Sequence, residues 1–372
     1  MDWLLRFGCA CGVLACNVID PGLIRTDGAT VDARDASVDA TDVGVDAPTG
    51  LRKVPRRPEV ADRPDVETDM TIALRDVVLN QNGLRWRNIG LDLDDLDTQT
   101  VADPVECIPP NEDAEIELDG EQGIDNAFGD KLYPIVALAL PNLQRDARVN
   151  QEAGLGTIVL KMTRWNGTAD DPRVDVFLTQ SAAGTTADPA TVTFDGFDPM
   201  VGASPAPLPA WEGADYWIAR DETFFMRDFD QPLIRDDNAY INDGTIVMRL
   251  PDRIDILFFV GSEQGVRVRL TDAYAFGQFN EDFTRLEPAT VAGRWSIIDL
   301  LETGENIDIC IGSVERMIIE NQLDTIADVR SVPGSGGPGV ACDAISVGVS
   351  FTGIRGQWGG LGPSRPLPNP CD

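Results

Sequence analysis

Two acidic stretches carry the residue types and spacing from which a metal site could be built. Glu115, Glu117 and Asp119 alternate directly before Gly120, and Asp125 and Asn126 follow. A second group, Asp92, Asp94, Asp95 and Asp97, lies upstream. Calcium takes six to eight oxygen ligands, and closely spaced carboxylates beside a sharp glycine turn supply them. On that chemistry Glu115, Glu117, Asp119 and Asp125 are the expected calcium ligands, and no other cofactor is suggested. The stretch departs from an EF-hand loop, which wants Glu where Asn126 stands, and the Asp92 group lacks the glycine. The competing reading is a set of solvated carboxylates on a very acidic surface.

A second constellation is aromatic. Trp211, Tyr216 and Trp217 group three rings with Glu212 and Asp215. Flat rings beside polar groups can hold a sugar, which makes Trp211, Asp215 and Trp217 the expected ligand contacts. Such rings are equally ordinary packing residues.

The chain has no histidine. That removes Ser-His-Asp and Cys-His nucleophiles, and also His-ligated zinc, copper and iron. Ser204 sits in Gly202-Ala203-Ser204-Pro205-Ala206 and fails the last position of a G-x-S-x-G elbow. The glycine-rich run at 334–339 lacks the Lys-Ser/Thr of a phosphate-binding loop. Carboxylate-only chemistry survives, because glycoside hydrolysis needs two facing carboxylates and no histidine. Among 62 acidic residues no pair stands out, so no catalytic residue is assigned.

Those 62 acids face 30 basic residues, a formal charge of −32. Nucleic-acid binding needs a basic footprint and is excluded on this balance. An anionic membrane surface is equally disfavoured, whereas cations suit such a field.

The N-terminus speaks to location. Residues 3–15 are mostly apolar; about 13 residues is too short for a bilayer span of roughly 20 and suits the core of a signal peptide. Ala15 directly before Cys16 resembles the bacterial lipobox. That resemblance implies removal of residues 1–15, a lipid on Cys16 and membrane attachment through it. Val31-Asp32-Ala33, Val38-Asp39-Ala40 and Val45-Asp46-Ala47 then recur. One valine per repeat gives no coiled-coil seam, and so acidic a tract buries too little apolar surface to fold. Residues 16–69 therefore read as a lipidated Cys and a disordered Asp/Ala/Pro-rich linker. Once Cys9, Cys11 and Cys16 are set aside, Cys107, Cys310, Cys342 and Cys371 remain. In an oxidising compartment these form two disulfides, and Cys342–Cys371 is the favoured pair because it would fasten the Gly/Pro-rich tail.

Residues 70–372 must position the acidic and aromatic groups, and here period-two alternation dominates. Ile158, Leu160 and Met162 share one face; Val174, Val176 and Leu178 another; the same holds for Ile246–Leu250, Ile254–Val260, Val266–Leu270 and Ile345–Phe351. Turn residues such as Asn166-Gly167 and Asp243-Gly244 bound them. This predicts a mainly β domain, an antiparallel β-sandwich or jelly roll with one face of each strand in water. One or two covering helices are expected. Ile311, Val314, Ile318 and Ile326 form an apolar stripe in 309–328 that would pack on the sheet. Residues 132–149 read as an ambiguous helix interrupted by Pro134 and Pro141. Residues 181–215 read as a long loop that could divide two subdomains.

The lipobox, the repetitive Asp-Ala tract and the β-rich domain together resemble uncharacterised lipoproteins of GC-rich Gram-negative bacteria. Asp119-Gly120, Gly123-Ile124-Asp125-Asn126, Asp243-Gly244 and Cys342-Asp343-Ala344-Ile345-Ser346 carry the resemblance within the domain. It implies a lipid-anchored address at the outer membrane or cell surface and no settled activity. The expectation is a non-enzymatic cell-envelope protein, structural or ligand-binding, with a glycan or envelope protein as partner. The alternative is a carboxylate-based polysaccharide hydrolase or carbohydrate-binding surface protein.

Overall fold

A computed structural model describes residues 52–59, 67–260, 264–366 and Cys371. The expected signal segment, Cys16 and the Val-Asp-Ala tract lie outside the described residues. The strands are β1 (Thr68–Val78), β2 (Ile158–Trp165), β3 (Asp171–Thr185), β4 (Val192–Asp195), β5 (Asp198–Val201), β6 (Ser204–Pro205) and β7 (Tyr216–Arg220). There follow β8 (Ile234–Asn242), β9 (Thr245–Arg249), β10 (Asp255–Val260), β11 (Gln264–Arg269), β12 (Thr271–Phe279), β13 (Arg285–Ser296) and β14 (Ala344–Gly362). The helices are α1 (Tyr133–Ala139), α2 (Leu143–Glu152), α3 (Ile297–Glu305) and α4 (Val314–Ile326).

Eight strands pair in a ring, β1-β2-β3-β8-β9-β12-β13-β14 and back to β1, every pair antiparallel. The mainly β, antiparallel class is as expected, but these strands close one barrel rather than dividing between two sheets. Closure rests on β14, which pairs with β13 on one edge and β1 on the other. Gly353 permits this: a Cβ there would stand 2.7 Å from Ile72 of β1 and 2.8 Å from Leu286 of β13. The interior is filled by the predicted alternating residues, among them Ile158, Leu160, Val176, Leu178, Met248, Ile345, Val347 and Phe351. Small eight-stranded barrels are filled with side chains in this way. Asp243 and Gly244 both take positive φ, 48° and 73°, the two-residue turn that matches strand twist between β8 and β9.

Helix packing differs from the sequence expectation. Pro141 does separate α1 from α2, and both helices pack on the barrel core through Tyr133, Ile135, Val136 and Ala147. Of the predicted apolar stripe only Ile326 is buried: Ile311, just before α4, is 80% exposed, and Val314 and Ile318 within the helix are exposed with it. The buried face carries Arg316, Leu323 and Ile326. The Arg316 guanidinium donates to the Leu301 carbonyl (2.6 Å) and to Glu320 (2.8 Å), and this polar anchor fixes the rotation of the helix. Residues 181–215 run from the end of β3 into the small β4-β5-β6 sheet.

The outer faces of β13 and β14 are covered as well. Leu91 and Leu93 pack on Ala292, and Ala127 N donates to the Ser346 hydroxyl (2.8 Å). Ser346, expected to meet water, is fully buried. Two disulfides hold this layer and the tail, Cys107–Cys342 and Cys310–Cys371. The favoured Cys342–Cys371 pair is therefore corrected. Backbone bonds from Ile108 N to Val340 O and from Cys342 N to Ile108 O place Cys342 beside Cys107 instead.

Candidate metal centre

The covering layer brings the two acidic stretches together. Asp125 N donates to Leu91 O (2.9 Å) and Asp119 N to Thr98 O (2.9 Å). In return Leu93 N donates to Asp125 Oδ2 and Thr98 N to Asp119 Oδ2, both at 2.6 Å. Leu91 and Leu93 pack on the barrel wall, and the bend that follows Leu91 brings Asp92 and Asp94 toward Asp125. A third stretch, after α4, adds Asp328, whose Oδ1 accepts from Ser346 N (2.8 Å) and whose Oδ2 accepts from the Ser346 hydroxyl (2.5 Å).

Six carboxylates, those of Asp94, Glu106, Glu117, Asp119, Asp125 and Asp328, line a cavity of about 20 Å³. That is room for about one water or ion. No lysine or arginine side chain lines it. Glu106 is answered from the side by Arg294, which is 1% exposed and donates from 2.6 Å. Carboxylate oxygens of Asp92, Asp94 and Asp125 lie within 4.8 Å of one another. Ca–O bonds of about 2.3–2.6 Å put opposite ligands up to about 5 Å apart, so the spacing fits calcium.

Electrostatics point the same way. Burial pushes Asp94 up to about 6, with the charges of Asp92 and Glu106 adding to it. Burial raises Asp119 and Asp328 to about 7 each. It raises Glu117 to about 9, aided by Asp130. Asp125 stands well above the usual carboxylate range through burial and the charges of Asp94, Asp119 and Asp328. Buried like charges cost several kcal/mol each unless compensated. Protons can do that, and so can a divalent cation bound by the same oxygens.

Of the four predicted ligands, Glu117, Asp119 and Asp125 meet at this cavity, and Glu115 is exposed outside it. Asn126 serves the scaffold: its Oδ1 accepts from Gly129 N and Gly348 N, each 3.0 Å. Gly120 is required for close approach, since a Cβ would stand 2.5 Å from Arg87 O. Asp94 and Asp328 were not predicted as ligands. The acidic group from Asp92 to Asp97 was a signal for Asp94; nothing local marks Asp328.

Comparison with protein-family models, with curated proteins and with solved structures returns no match to this chain. Its chemistry must therefore be read from its own residues.

Beside the cavity, and sharing Asp94 and Glu106 with it, lies a cleft of about 420 Å³. Lys53, Asp92, Asp95, Asp272, Tyr274 and Arg294 contribute to its walls. The predicted aromatic contacts lie elsewhere. Trp217, 1% exposed, packs on Ala73 and Val159 and against the Trp211 ring at 4.6 Å. The Asp215 carboxylate accepts from Ala210 N and Trp211 N at 2.7 Å each. In this structure the three residues build a turn and its packing.

Proposed function

We propose that the chain is an envelope protein, exported and lipid-tethered through Cys16, whose non-catalytic binding domain is organised around a divalent cation, calcium by its donor set. The observation that carries the cation reading is the convergence of six carboxylates on one ion-sized cavity without a lysine or arginine in its lining. Asp94 and Asp125 are the central ligands, with Asp92 on the cleft side and Asp119 and Asp328 on the other. The export reading is supported by the two disulfides, which persist in oxidising compartments, and by the lipobox-like Ala15-Cys16. The hydrolase alternative draws less support. Glu117, Asp119, Asp125 and Asp328 line a cavity that admits an ion and no sugar ring, and of the six carboxylates only Asp94 and Glu106 also border the cleft.

The test is a thermal shift on the oxidised chain with calcium and with a chelator. Calcium at a hundredfold excess over its dissociation constant should stabilise the protein by about 2.7 kcal/mol. Asp94→Asn and Asp125→Asn should abolish the shift, and Glu115→Gln should retain it. An identical melting temperature with and without calcium would overturn the cation reading.

A further inference from the structure

One carboxylate of the candidate ligand set, on the cleft side, is already paired with a cation supplied by the chain itself. Lys53 Nζ lies 2.7 Å from Asp92 O, 3.0 Å from Asp92 Oδ2 and 2.7 Å from Asp95 Oδ1. Asp92 is also one of the three carboxylates whose oxygens gather within 4.8 Å. One side chain therefore belongs both to the lysine pair and to the candidate ligand set.

Lys53 sits on a strap, residues 52–59, which has no helix or strand of its own. Its start is pinned between the two acidic stretches: Arg52 N donates to Gln122 O (2.9 Å), and Asp92 N donates to Arg52 O (3.0 Å). Its far end lies on β8 and its neighbours. Asn242 donates to Arg56 O (2.7 Å), Tyr240 donates to Pro55 O, and Arg57 donates to Asn238 O (2.6 Å) while lying over the Tyr240 ring. Apart from the two backbone bonds of Arg52, the bonds named for this segment run through side chains, its own or those of β8, and Val54 packs against the cluster of Leu91, Leu93 and Ala292.

We infer that this strap is a displaceable arm, and that Lys53 competes with a divalent cation for Asp92. The inference rests on the cation reading of the carboxylate centre. An ammonium on Asp92 raises the local potential against a second cation a few ångströms away and occupies one of its ligands. Coupling of this kind is reciprocal: whatever Lys53 takes from cation affinity, the cation takes from strap docking. The strap lies within residues 16–69, the stretch expected to reach the membrane as a linker, so occupancy of the centre and docking of the tether's domain-proximal end become one equilibrium.

The experiment is a calcium titration by calorimetry on the full oxidised chain, its Lys53→Gln variant and its Arg57→Gln variant. Arg57 lies at the far end of the strap, away from the carboxylates, and keeps the test open should Lys53→Gln fold poorly. Lys53→Gln should bind calcium roughly fivefold or more tightly, Arg57→Gln more modestly so. Trypsin should cut the wild-type strap after Lys53 or Arg56 faster in calcium than in chelator. Equal or weaker binding by both variants, with calcium still bound by the wild type, would overturn the competition and leave the cation site standing. Absence of heat in all three would remove the cation reading itself, and this inference with it.

Discussion

The barrel interior and the layer outside β13 and β14 are both buried, yet they are stabilised in opposite ways. Inside, Leu178, Ile241, Met248 and Phe351 exclude water with no polar partner to satisfy. Outside, Asp125, Asn126, Ser346 and Arg294 are as inaccessible, and each depends on particular hydrogen bonds or charges. Apolar burial is non-directional and tolerates error. Buried polar groups stabilise only when fully answered, and are costly otherwise. The barrel is therefore the platform, and the outer layer is the part whose stability depends on how fully its polar groups are answered.

If the two regions are independent, damage to one should leave the other's chemistry alone. Phe351→Ala, which opens a cavity in the barrel, should cost about 3–5 kcal/mol while calcium affinity stays constant. Denaturant unfolding alongside calorimetry checks both halves, and a parallel loss of affinity would break the separation. Replacing Cys107 and Cys342 together by alanine should cost about 2–5 kcal/mol. It should also remove calcium binding, because that bridge joins the stretch bearing Asp94 to the one bearing Asp328.

A smaller effect should appear with pH. Asp94, Asp119, Asp328 and Glu117 have folded values raised to about 6, 7, 7 and 9. The folded protein then holds protons that the unfolded chain releases near pH 4. Their contribution to stability is fully present below about pH 4 and is lost as pH rises through those folded values. The melting temperature of chelator-treated protein should fall from pH 5 to pH 8, and calcium should flatten the slope. A slope unchanged by calcium would place these carboxylates outside the ligand set.

The same contrast governs what could be read in advance. Period-two runs such as Ile158–Met162 and Ile345–Phe351 announced their strands, because each residue needed only to be apolar on one side. Barrel closure was hidden, since β1 and β14 meet from opposite ends of the domain and no local pattern encodes that pairing. The α4 stripe misled because a buried arginine, which looks like a surface residue in sequence, sets the helix rotation. The centre was half legible. Glu117, Asp119 and Asp125 were marked by spacing, Asp94 only as one of an acidic group. Asp328 is placed by Ser346 of β14, a contact that exists only after the sheet forms.

The two disulfides close loops that run from residue 107 to 342 and from 310 to 371. Seven of the eight ring strands lie within one loop or the other, and β1 lies within neither. A pull on the N-terminal side of β1 would therefore reach the one wall of the barrel that neither disulfide loop encloses. That wall can unzip from β2 and β14 while both bridges stay intact. Mechanically the barrel is a closed vessel with a single tear strip, and the strip is its most N-terminal strand.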